Sequence, residues 1–139
     1  MAPIALRIML TLALLVGTTA CGSDELGQVD NSVRLRVSGG IAGIDETIVL
    51  HEDGRLIAPD GTASQLPPDL VRPVFALLRD GFFDFAPKYL PADICCDRFT
   101  YSFTADVDGR QHSVMTMDAT PGAPDQLMQL ISLLRGLAG

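Results

Sequence analysis

Apolar and polar residues alternate strictly along the early chain, with Val33, Leu35 and Val37 set against Arg34, Arg36 and Ser38. A period of two sends successive side chains to opposite faces, so this stretch predicts a strand with one buried and one wet face. Thr47 to Glu52 predicts a second strand. The Asp53-Gly54 pair that follows is a two-residue hairpin signal, and it sets Leu50 opposite Ile57 and Glu52 opposite Arg55. The device recurs later. Phe99, Tyr101, Phe103, Ala105 and Val107 share a face, Asp108-Gly109 turns the chain, and Gln111 to Met117 returns with Val114 opposite Phe103 and His112 opposite Ala105.

Elsewhere the period lengthens. Leu70, Val74, Leu77 and Leu78 recur at helical spacing, with Asp69 near the start and Gly81 placed as a C-terminal cap. Pro73 requires that this helix begin late, because a proline deep in a helix removes a hydrogen bond and costs about 3 kcal/mol. A second helix is expected from Asp125 to Leu137, with Leu127, Leu130, Ile131 and Leu134 on one stripe. Phe82, Phe83 and Phe85 follow the first helix and are expected to fill the seam between helix and sheet. The order of elements predicts an α+β fold: an antiparallel sheet of about four to five strands, with two helices packed on one face.

The first residues have a different character. One charge, Arg7, precedes the apolar run Ile8 to Val16 and the small residues Gly17, Thr18, Thr19 and Ala20, the layout of a secretory signal over residues 1–20. The run is far shorter than the roughly 20 apolar residues a permanent membrane span needs. Leu15 to Cys21 resembles the lipobox of bacterial lipoproteins, with Thr18 where leucine is usual. That resemblance implies lipid attachment at Cys21, which becomes the first residue; cleavage by the ordinary signal peptidase, giving a secreted protein, is the other route. Residues 21–31 carry two glycines and three acids without apolar periodicity and read as a flexible tether, able to span roughly 35 Å when extended. The expected protein is therefore an extracytoplasmic lipoprotein held at the membrane through Cys21, with residues 32–139 as its domain.

Composition narrows the function. At 139 residues and 47% hydrophobic content the chain suits one small domain, and 10 basic against 17 acidic residues give a formal charge of -7. Clustered cations, which a nucleic-acid backbone requires, are lacking. The sequence has no Gly-x-Ser-x-Gly elbow and no His-Glu-x-x-His helix, and its two histidines, His51 and His112, stand far apart. No catalytic residue, metal ligand or cofactor is expected, and the chain reads as a non-enzyme. Asp97 and Arg98 are expected to pair and fix the loop into the later hairpin. Cys95 and Cys96 are expected to bond to each other in an oxidising compartment, with free thiols, metal capture and intermolecular bridging as the alternatives.

Gly39, Gly40 and Gly43 bracket Ile41 and Ala42. This describes either a protruding loop that presents one aliphatic side chain or a plain turn with Ile41 folded onto the core. Four stretches in order, Val37-Ser38-Gly39-Gly40-Ile41-Ala42-Gly43, Gly81-Phe82-Phe83, Asp97-Arg98-Phe99-Thr100-Tyr101 and Gln111-His112-Ser113-Val114, resemble emfourin-type proteins over about Val33 to Leu137. The resemblance implies an inhibitor of a thermolysin-like zinc peptidase. Gly39, Gly40, Ile41, Ala42 and Gly43 would then be the contact loop, because such a peptidase pocket accepts bulky aliphatic groups. The other reading is a cell-envelope lipoprotein with a binding or scaffolding role and no inhibitory activity. The sequence carries no signal for oligomeric state.

Overall fold

The computed structural model describes residues 29–94 and 97–139. Cys21, the signal segment and the Cys95-Cys96 pair therefore lie outside the described residues. The fold is α+β. Strand β1 (Ser32–Gly39) lies at the centre of a seven-stranded sheet, paired along its whole length with β2 (Ile44–His51) on one side and β6 (Phe99–Val107) on the other. Short strands β3 (Arg55–Ile57) and β4 (Ala63–Gln65) extend the sheet beyond β2. Strand β7 (Arg110–Met117) and the two-residue β5 (Lys88–Tyr89) extend it beyond β6, giving the order β4-β3-β2-β1-β6-β7-β5.

The core lies on one side of the sheet. Val33, Leu35 and Val37 of β1 are buried with Ile48 and Leu50 of β2, with Phe103, Ala105 and Val107 of β6, and with Val114 of β7. Covering them are helix α1 (Pro68–Arg79), through Val71, Val74, Phe75 and Leu78, and helix α2 (Asp125–Ala138), through Leu127, Leu130, Ile131 and Leu134. The opposite face carries Arg34, Arg36, Thr47 and Thr104, none of them buried. The alternation that predicted β1 and β6 is thus the contrast between a helix-covered and an open face. Phe82 is fully buried in a 3₁₀ turn (Phe82–Asp84) after α1, its ring meeting Phe83, Phe85 and Phe103, as expected for the seam.

Four details differ from the sequence reading. The sheet has seven strands rather than four to five, and β5 runs parallel to β7, so it is mixed rather than antiparallel. Strand β4 is exposed at all three residues and paired only with β3, and β5 is held by Met115, which donates to the Pro87 carbonyl at 2.9 Å, so neither strand carries an apolar signature. The first hairpin is one residue longer than a two-residue turn. Leu50 faces Leu56 and Val49 faces Ile57, with Gly54 at φ 97° and its N–H bonded to the His51 carbonyl. The burial of Leu56 explains this register: a one-residue slip would send Leu56 to the face opposite Leu50. In α1 the buried stripe is Val71, Val74, Phe75 and Leu78, and Leu70 is 48% exposed. Leu70 and Val71 sit about 100° apart around the helix, and packing takes the second of them.

The later hairpin and α2 match in register and stripe. Val107 pairs with Arg110 across Asp108-Gly109, both at positive φ, and Val114 faces Phe103. Gly81 adopts φ 96° just after α1, the left-handed conformation that ends a helix.

Candidate functional site

The β1–β2 connection is a four-residue loop with positive-φ glycines Gly40 at 75° and Gly43 at 63°, entered from β1 through Gly39 at 112°. The Gly43 N–H donates to the Gly40 carbonyl at 3.0 Å, closing a turn with Ile41 and Ala42 at its two central positions. Ile41 is 91% exposed, the most exposed of the large apolar residues among those described. Of the two alternatives in the sequence, the structure shows the protruding loop. Ile41 does not fold onto the core.

Neighbouring residues fix the loop. The Asp97 carboxylate accepts the Ile41 N–H at 2.5 Å, and the Gly40 N–H donates to the Arg98 carbonyl at 3.3 Å. A Cβ on Gly40 would stand 3.0 Å from the Phe99 ring, so glycine there lets the loop lie against an aromatic face. The expected Asp97–Arg98 ion pair is absent. Asp97 is engaged with the loop backbone, and the Arg98 guanidinium reaches the Asp118 carbonyl oxygen at 3.5 Å. A backbone N–H is the nearer partner for Asp97 because the loop folds over the start of β6.

Behind the loop, Asp118 ties the end of β7 to the start of β6. Its carboxylate accepts the Phe99 N–H at 3.0 Å and the Tyr101 hydroxyl at 2.7 Å, and its own N–H donates to the Phe99 carbonyl. Burial and the Asp118 carboxylate push the Tyr101 phenol up to about 12. Nothing in the sequence singled out Asp118. An aspartate after a strand becomes a staple only once β6 lies beside it.

The histidines serve the framework. The His112 ring faces Phe82 and Phe83, and Nε2 donates to the Phe85 carbonyl at 2.9 Å. His51 is buried at the end of β2, its Nδ1 3.0 Å from Asp30 and 3.2 Å from an Arg55 nitrogen. Among the described residues no group of three or more His, Cys, Asp or Glu is placed to hold a metal ion, and no helix is long and apolar enough to cross a membrane. A cleft of about 490 Å³ lies at the end of the sheet away from Ile41 and is lined by Asp30, Glu52 and Arg55 among others.

Comparison with family models and with curated proteins finds no match to this chain. Its functional reading rests on the loop.

Proposed function

We propose that the protein is an exported, lipid-anchored inhibitor that inserts Ile41 into the active-site cleft of a thermolysin-like zinc peptidase and blocks it by occupation. The observation that carries this reading is the exposure of Ile41 on a loop whose Gly40 and Ile41 N–H groups are bonded to Arg98 and Asp97, just before β6. An isolated aliphatic side chain in water gains from transfer into an apolar pocket. A loop already held in one shape loses little conformational freedom on binding, and that favours affinity. The resemblance to emfourin-type proteins supplies the class of target, and the acidic charge of the chain accords with a protein partner rather than nucleic acid.

An inhibition assay with a secreted thermolysin-like peptidase from the same cell tests the reading. A hot-spot side chain commonly contributes about 2 kcal/mol or more, so Ile41→Asp should weaken inhibition about thirtyfold or more. Because Ile41 touches solvent rather than core, its stability should stay within about 0.5 kcal/mol of wild type. Absence of inhibition by the folded wild-type protein would remove the activity. Unchanged potency in Ile41→Asp would remove the loop from the contact.

A further inference from the structure

Strand β2 is paired with β1 through all eight of its residues, yet β3 pairs only with Val49 and Leu50 on the other side. Strand β3 ends at Ile57, and the Ala58 N–H bonds to the Thr62 carbonyl at 2.9 Å in the turn toward β4. The outer edge of β2 from Ile44 through Thr47 therefore has no backbone partner among the described residues. Antiparallel geometry directs both the N–H and the C=O of every second residue to the same side. Two of these four residues thus present an open donor and acceptor.

Exposed edges invite pairing, and charged side chains are the usual guard. Here two acids, Asp45 and Glu46, occupy the edge. Asp45 is matched inside the sheet: Arg36 donates to its two carboxylate oxygens at 2.8 and 2.7 Å. Glu46 is exposed, lies on the same face as Ile48 and Leu50 but beyond their burial, and makes no ion pair among the described residues. The edge thus offers main-chain hydrogen bonds together with an unmatched negative charge. A second copy of this chain pairing antiparallel about Glu46 would set that carboxylate against its own counterpart, and like charges directly opposite are destabilising. A strand carrying a cation opposite Glu46 meets attraction instead.

We infer that the open edge of β2, from Ile44 through Thr47, is a docking site for an extended, basic segment of a protein partner, which adds to the sheet as a strand beside β2. The site adjoins the Ile41 loop but does not depend on the peptidase reading. Affinity comes from the backbone, and selectivity comes from Glu46.

The test uses the whole chain, NMR amide exchange and two capped hexapeptides, one alternating Lys and Val, the other alternating Glu and Val. The Lys–Val peptide should shift and protect outward amides within Ile44 to Thr47 at millimolar concentration, and the Glu–Val peptide should not. Glu46→Lys should weaken Lys–Val binding about fivefold and reverse the preference, the scale expected for exposed charge pairs. Equal response to both peptides, shifts confined to other residues, or no shift would each overturn the proposal. So would amides already protected in the free chain, or a concentration-dependent dimer protecting the same amides. Failure of peptidase inhibition leaves this result unaffected.

Discussion

Gly39 and Gly43 both stand at positive φ in the same loop, but they face different surroundings. A Cβ on Gly39 would lie 2.6 Å from the Arg98 carbonyl oxygen, whereas one on Gly43 would meet nothing within 4 Å. Gly39→Ala therefore combines backbone strain with a clash against main chain and should lose about 3 kcal/mol, and Gly43→Ala, with conformational strain alone, about 1 kcal/mol. Denaturant midpoints of the two variants check this ordering, and equal losses would contradict it. The sequence disclosed the glycines and the aliphatic residue between them. It did not disclose the difference between the glycines, because Arg98 lies 59 positions from Gly39 and reaches it only when β6 pairs with β1.

Between elements, the last turn of α1 is joined to both hairpin turns through Arg79. Its guanidinium donates to Glu52 at 2.7 and 3.0 Å and to Asp108 at 2.8 and 3.0 Å, while Asn31 bonds to both carboxylates and accepts the Asp108 N–H at 2.8 Å. Hydrogen bonds from Arg79 hold the Glu52 and Asp108 carboxyls below their usual values of 4.5 and 3.8. A carboxyl with a depressed folded value stabilises the fold above its unfolded value and loses that contribution as pH falls through the folded one. Arg79→Gln should accordingly lower the denaturation midpoint at pH 7, and its gap from wild type should narrow as pH falls below the usual carboxylate range and through the depressed folded values of Glu52 and Asp108. A gap independent of pH would show that Arg79 acts through packing of its stem. Each turn was legible from its Asp-Gly pair, but the clamp joining them was not, since Arg79 and its partners are 27 and 29 positions apart.

Across the whole molecule, the chain enters the sheet at Ser32 and reaches the Ile41 loop one strand later. Eight residues of β1 separate the two ends by about 24 Å. If Cys21 carries lipid, as proposed, the attachment reaches the domain at the Ser32 end of β1, the end opposite the Ile41 loop. Cys21→Ser should move the protein from the membrane fraction to the soluble fraction without changing the inhibitory potency of Ile41. Unchanged membrane association would remove lipidation at this residue.

The sequence by itself determined the strands and helices whose side chains meet a uniform environment: β1, β6, β7 and α2 follow their apolar periods, and Asp108-Gly109 fixes the β6–β7 register because a two-residue turn allows little else. Only the tertiary structure decided the β2–β3 register, the edge strands β4 and β5, and the choice of Val71 over Leu70 as the inward residue of α1. In each of these the local pattern permits two arrangements that differ little in energy, and burial against a distant element selects one. The same holds at the loop. Glycines permit a protrusion, and it is Asp97 and Arg98, brought alongside when β6 pairs with β1, that fix the loop bearing Ile41.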